Sequence, residues 1–133
     1  MRAKSFAVIL VLMLAGALGS TAVHAQTQRI ALKSGEIVEL QIVYWITNCR
    51  STMIGIPAVE VLEGPPEVTL AIKEEMVLPR RINCANRVPG GTLVATAKDV
   101  KEPTETKLRY RLKFKTKDGD RQTSTVYNIS LFA

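Results

Sequence analysis

The stretch LRYRLKFKTKDGDRQTSTVYNISLF, residues 108–132, decides the fold. Extended back to Thr104, its first arm alternates without a break. Thr106, Leu108, Tyr110, Leu112 and Phe114 fall on one side, and Lys107, Arg109, Arg111, Lys113 and Lys115 on the other. Successive side chains of a strand point to opposite faces, so this pattern predicts a half-buried strand over 104–116. Lys117-Asp118-Gly119-Asp120 follows as a hairpin signal, because Asp-Gly accepts the positive φ of a type I′ turn. With Asp118-Gly119 as the two-residue loop, Phe114 pairs with Thr123, Leu112 with Thr125, Tyr110 with Tyr127 and Leu108 with Ile129. The same register places the cations opposite Gln122, Ser124, Val126, Asn128 and Ser130, so both faces are internally consistent.

The period of two recurs upstream, and no stretch sustains a helical period. An edge strand is expected around 29–32, then a turn at Lys33-Ser34-Gly35. A long strand over 36–46 follows, with Val38, Leu40, Ile42, Tyr44 and Ile46 on one face. Further strands are expected at 58–62, at 68–72 after Gly64-Pro65-Pro66, at 77–82, and at 92–97 after a Pro89-Gly90-Gly91 turn. Pro79 restricts the 77–82 strand to an edge or a bulge. Seven or eight short strands separated by frequent turns predict an all-β, two-sheet antiparallel sandwich.

Residues 108–132 resemble the closing hairpin of bacterial immunoglobulin-like and cadherin-like modules: an alternating strand with a tyrosine, an Asp-Gly turn and an alternating return strand. The chain is also similar to small exported single-domain bacterial proteins of uncharacterised function. The resemblance implies an immunoglobulin-like sandwich with a binding or scaffolding role, and it carries over no catalytic residue. One departure is plain. The cysteines do not bracket a tryptophan on facing core strands, since Trp45 precedes Cys49 by only four positions.

The first 25 residues have the form of a secretory signal peptide. Arg2 and Lys4 precede an apolar run over 6–19, and small residues lead to Val23-His24-Ala25. A cut after Ala25 is expected, with Ala22 as the fallback. The run is too short to span a bilayer, and no later segment has the length and apolarity of a membrane helix. Removing 25 of the 133 residues leaves 108, a usual size for one domain over 26–133 with one core. Loss of Arg2 and Lys4 from 18 basic residues leaves 16 against 12 acidic ones, a net +4 concentrated in the C-terminal half. The destination is the periplasm or the medium.

Export makes a disulfide between Cys49 and Cys84, 35 positions apart, the expected state of the two cysteines. No Cys-x-x-Cys is present to favour redox chemistry. The contexts Asn48-Cys49-Arg50-Ser51 and Asn83-Cys84-Ala85-Asn86 predict a staple between two loops, since these residues favour turns. The single histidine, His24, belongs to the leader. A chain from residue 26 onward has no Ser-His-Asp or Cys-His system and lacks the commonest zinc ligand, so no enzyme activity, metal or cofactor is expected. Asp118-Gly119-Asp120 has too few oxygens for calcium and is read as a turn. Glu74-Glu75 is likewise read as a turn, and no aligned carboxylate pair supports glycosidase chemistry.

Two surfaces remain as candidates. The cationic stripe Lys107, Arg109, Arg111, Lys113, Lys115, with Arg121 near the turn, places like charges roughly 7 Å apart along one strand face. It is either an anion-binding ladder for an envelope component or a solvated face that resists aggregation. Nucleic acid is excluded as its target, because no aromatic residues interleave the cations and the chain is exported. The second candidate is a protein contact through end loops carrying Arg50, Met53, Ile54 and Arg87. In the 53–57 connection the apolar residues either form a contact patch or cover the end of the sandwich. Asn128-Ile129-Ser130 is a glycosylation sequon on the outward face. The expectation is an exported, non-catalytic binding module of the cell envelope. Polyanion binding through 107–115 and inhibition of a periplasmic enzyme are the alternatives, and the partner and oligomeric state are left open.

Overall fold

A computed structural model describes residues 28–80 and 83–133. The leader, its cleavage site, and Arg81 and Ile82 at the end of one expected strand lie outside the described residues. The strands are β1 (Gln28–Lys33), β2 (Ile37–Val43), β3 (Ile46–Thr47), β4 (Arg50–Ser51), β5 (Ala58–Glu63), β6 (Val68–Val77), β7 (Val88–Ala97), β8 (Thr104–Thr116) and β9 (Gly119–Phe132). Among the described residues there is no helix. One sheet runs β1-β9-β8-β5, a second runs β2-β7-β6, and β3-β4 forms a two-residue ladder.

Both larger sheets contribute to one hydrophobic cluster. Leu32, Leu108, Tyr110, Leu112, Phe114, Tyr127, Ile129 and Leu131 come from the first, and Val43, Val68, Leu93, Ala95 and Ala97 from the second. Alternation explains this division, because the inward set of each strand is apolar and the outward set is polar. The expected faces of residues 104–116 are those observed: Leu108, Tyr110, Leu112 and Phe114 are buried.

Four local expectations are corrected by packing. First, β1 runs parallel to β9, pairing Gln28 with Tyr127 and Lys33 with Phe132, so the first sheet is not wholly antiparallel. Second, the β8–β9 register is displaced by two residues. Thr116 pairs with Gly119, Leu112 with Thr123, Tyr110 with Thr125 and Leu108 with Tyr127. A type I′ turn needs positive φ at both central residues, and here Gly119 alone in the turn has it, at φ 110. Thr116 holds the observed turn, accepting from the Asp118 N–H at 3.2 Å and donating to the Gly119 carbonyl at 2.6 Å. A shift of two keeps every side chain on its face, which is why the sequence pattern tolerates either register.

Third, β2 carries a bulge between Glu39 and Gln41. An extra residue reverses the alternation, so Val43 enters the core where Ile42 and Tyr44 were expected to lead inward. Fourth, Pro89-Gly90-Gly91 is no turn; it lies inside β7 and pairs with Met76, Glu75 and Glu74, which are themselves in β6. With β2 on one side of β7 and β6 on the other, a Cβ on Gly90 would press into the Val43 carbonyl oxygen of β2 and, at 2.8 Å, into the Val77 side-chain Cγ2 of β6. Glycine at this position serves close approach, not chain reversal. The actual connection between β6 and β7 is the segment 78–87 that contains Cys84.

The disulfide forms as expected, with Cα atoms of Cys49 and Cys84 5.5 Å apart. Cys49 occupies the β3–β4 turn, where Asn48 and Cys49 adopt φ 52 and 60. The bond therefore staples two connections at one end of the molecule.

Candidate functional site

The cationic stripe lies on the outer face of β8, and its neighbours alter its electrostatics. Edge strand β5 pairs antiparallel with β8, setting Glu60 beside Arg111 and Glu63 beside Arg109. Glu60 binds Lys113 Nζ at 2.5 Å and Arg111 Nη1 at 3.7 Å, while Glu63 reaches Arg109 Nε at 4.0 Å. Hydrogen bonding and attraction from Lys113, with a smaller contribution from Arg111, hold the Glu60 carboxyl below the ordinary glutamate range. The middle of the stripe is thus a mixed-charge surface. At its turn end Lys115 is directly opposite Asp120. Arg121 pairs with Phe114 and so belongs to the inward set, on the other face from the stripe. It projects beyond the core at the exposed hairpin tip.

One part of the outer face keeps its positive charge. Arg29 of β1 and Lys107 of β8 both pair with Asn128 of β9, forming a row across three strands. These residues edge a shallow depression of about 320 Å3 shared with Glu105 and Ser130. The Ser130 hydroxyl engages Glu105 at 3.1 Å. The sequon asparagine is the centre of this row and is half-buried, with its face outward as expected.

The end-loop candidates separate. Arg50 and Arg87 are exposed on the two segments joined by the disulfide, and Ile54 is 57% exposed. Met53 is not a free contact residue. It bridges to Thr116 and packs against the core, flanked by bonds from the Ile54 N–H to the Lys115 carbonyl at 2.7 Å and from the Lys117 N–H to the Thr52 carbonyl at 2.9 Å. Residues 52–54 therefore cover the edge of β8 beyond the end of β5.

A further concavity was not expected from the sequence. Between edge strand β2 and the first half of β9 a groove of about 680 Å3 opens to solvent, walled by Tyr44, Trp45, Phe114, Thr123 and Thr125, with Arg80 at its rim. The Trp45 and Phe114 rings are 5.2 Å apart and tilted by 49°. The bulge in β2 is what turns Trp45 toward Phe114. The signal for this groove was present only as a lone tryptophan after an alternating run, since its other wall is about 70 to 80 positions away in the chain.

Across the described residues, the hydroxyls of Tyr110 and Tyr127 are the ionisable groups raised by burial, and both serve the core. Among the described residues no group of three or more His, Cys, Asp or Glu is placed to hold a metal ion. No protein-family model matches the chain, and no curated protein matches it.

Proposed function

We propose that the chain is an exported binding module with an immunoglobulin-like fold that engages a protein partner of the cell envelope. The fold assignment is supported by the strand orders β2-β7-β6 and β9-β8-β5, which match the two sheets of immunoglobulin-type sandwiches, with β1 added along β9. Export is supported by the leader-like residues 1–25 and by the Cys49–Cys84 bond. The observation that carries the function is the open groove with Tyr44, Trp45 and Phe114 in its walls. Aromatic side chains in a partly desolvated concavity are the usual anchors of protein interfaces, and Arg80 adds a charged rim. Ile54, Arg50 and Arg87 are exposed as well, Arg50 and Arg87 on the two segments that the disulfide joins.

The experiment is capture of envelope proteins by the oxidised exported chain, beside a variant with Arg50→Glu, Ile54→Ser and Arg87→Glu and a separate Arg80→Glu variant. One partner retained in moderate salt and lost with either variant supports the reading. Capture that is unchanged by both variants sinks it for this surface.

A second reading has a specific observation behind it: Arg29 and Lys107, in one row with Asn128, carry no ion pair among the described residues. Anionic envelope components would bind there in preference to the paired centre of the stripe. Co-sedimentation with anionic and neutral vesicles at low and high salt tests it. Binding that is lost with Arg29→Ser plus Lys107→Ser, and kept with Arg109→Ser, Arg111→Ser plus Lys113→Ser, is the expected pattern. The reverse pattern returns the role to the centre of the stripe.

A further inference from the structure

The segments that follow β2, β6 and β8 meet at one end of the sandwich. The Cys49–Cys84 bond joins the first two, with Cα atoms 5.5 Å apart. The first is tied to the third by bonds from the Lys117 N–H to the Thr52 carbonyl at 2.9 Å and from the Ile54 N–H to the Lys115 carbonyl at 2.7 Å. Val77 pairs with Val88, so Leu78 and Arg87 leave that ladder side by side.

This end is positively charged. Arg50, Arg87, Lys117 and Arg121 are exposed, and none of them is in an ion pair among the described residues. Residues 44–57 and 78–87 contain no aspartate or glutamate, and Asp118 and Asp120 are the carboxylates of the hairpin tip. The opposite end has the reverse balance. Its connections, 34–36, 64–67 and 98–103, carry Glu36, Glu67, Asp99 and Glu102 against Lys98 and Lys101. The fold thus separates charge along the sandwich, an asymmetry that orients it toward an anionic surface.

Large apolar side chains stand among the cations of the stapled end. Ile54 and Ile56 are 57% and 54% exposed, and Leu78 is 45% exposed. Gly55, between the isoleucines, has φ 78 and nothing within 4 Å of its Cβ position, so the segment projects from the body of the domain. Beside it Ile56, Ala58, Lys113, Lys115, Asp120 and Arg121 edge a depression of about 490 Å3. A protein interface gathers its apolar residues into one core from which charge is depleted. Here they sit on two separate connections with arginines between them. A bilayer surface accepts separate apolar projections at its acyl boundary while its phosphates meet the surrounding cations.

We propose that this end docks on an anionic lipid surface. Ile54, Ile56 and Leu78 enter the headgroup boundary, and Arg50, Arg87, Lys117 and Arg121 lie on the lipid phosphates. The disulfide fixes the two inserting connections to each other. This docking depends neither on the groove nor on the Arg29–Lys107 row, and it stands or falls apart from capture of a protein partner.

The test is co-sedimentation of the full oxidised chain with vesicles of phosphatidylglycerol and phosphatidylethanolamine, beside phosphatidylcholine vesicles as the neutral control. All variants share residues 1–27, so any contribution of that segment is common to them. The native protein is expected to bind the anionic vesicles, and more weakly as salt rises. Ile54→Ser plus Ile56→Ser is expected to weaken binding about tenfold or more, and Arg50→Ser, Arg87→Ser plus Lys117→Ser to do the same. Arg29→Ser plus Lys107→Ser is expected to leave binding unchanged. Amide hydrogen exchange within 52–56 is expected to slow on the anionic vesicles. Equal binding to anionic and neutral vesicles overturns the proposal, as does unchanged exchange within 52–56. Anionic binding lost with Arg29→Ser plus Lys107→Ser and kept with both variants of the stapled end also overturns it, and assigns the lipid contact to the outer face. An envelope protein captured through Ile54 and Ile56 by a chain that binds no vesicle overturns it as well, and assigns this end to a protein.

Discussion

The Tyr127 hydroxyl donates to the main-chain carbonyl of Leu40 at 3.2 Å, across 87 positions of sequence and from one sheet to the other. Tyr110 donates likewise to Gln41 Oε1, and the two rings stack with centroids 6.2 Å apart. Both acceptors belong to the bulge of β2. A bulged residue loses its ladder partner, so its carbonyl needs another donor, and the core tyrosines supply one. Tyr127→Phe should lower stability by ~1 to 2 kcal/mol, since it leaves the Leu40 carbonyl unpaired. Thermal unfolding of the variant beside the native protein measures this, and an unchanged midpoint would show that water replaces the hydroxyl.

The same tyrosines make the protein sensitive to base. Burial raises both hydroxyls above the ordinary tyrosine value near 10, Tyr110 the further of the two. The folded state therefore holds protons that the unfolded state has released. Their contribution is full below about pH 10 and is lost as pH rises toward the folded-state values, at up to ~1.4 kcal/mol per pH unit for one such group. Urea unfolding at pH 9, 10 and 11 should show falling stability over the last step, and the fall should be smaller in Tyr110→Phe when each protein is compared with itself.

Glu60 titrates in the opposite sense. Its carboxyl is lowered by Lys113 and then Arg111, so its contribution is present above the ordinary glutamate value and is lost as pH falls through the lowered one. Carboxyl NMR should place Glu60 at the acidic end of the glutamates, and Lys113→Ser should move it upward. Glu60→Gln leaves Arg111 and Lys113 without their counter-charge, and is expected to increase retention on a cation exchanger with little change in fold.

Reduction of the Cys49–Cys84 bond should destabilise without abolishing the sheets, because both cysteines lie in connections and the core is built from strands. Closing a loop of this length is worth ~3 to 4 kcal/mol in the chain-entropy account. Denaturant unfolding with and without reductant measures the difference, and a difference near zero would mean that the reduced ends stay together through their own packing.

Gly91→Ala should be among the most damaging small substitutions. The added methyl would stand 2.8 Å from Ile72 Cγ2 and 2.9 Å from the Lys73 carbonyl oxygen. Parting β6 from β7 to admit it is expected to reduce stability by ~2 to 3 kcal/mol. Gly55→Ala serves as the comparison, since nothing lies within 4 Å of its Cβ position and only its φ of 78 opposes the change. The expected order is Gly91→Ala below Gly55→Ala in melting temperature.

What residues 104–132 determined by themselves is the strand class and the facing of each side chain. Alternation is a local property, and burial of one face rewards it wherever the strand is placed. The pairing of Cys49 with Cys84 was also legible, since the count left one choice. Tertiary structure alone decided the rest. The two-residue register shift turns on whether Asp118 or only Gly119 takes positive φ, and either register preserves the faces. The bulge at Leu40 is invisible to a pattern of apolar residues, yet it sends Val43 and Trp45 inward and so makes the groove. Pro89-Gly90-Gly91 has turn composition, but its glycines answer to β2 and β6 on either side of them. The cationic stripe is legible in β8, while its partial neutralisation is not, because Glu60 and Glu63 become its neighbours only when β5 pairs with β8. Each of these features depends on which strand lies beside which, and that choice is made by burying the whole set of apolar faces at once.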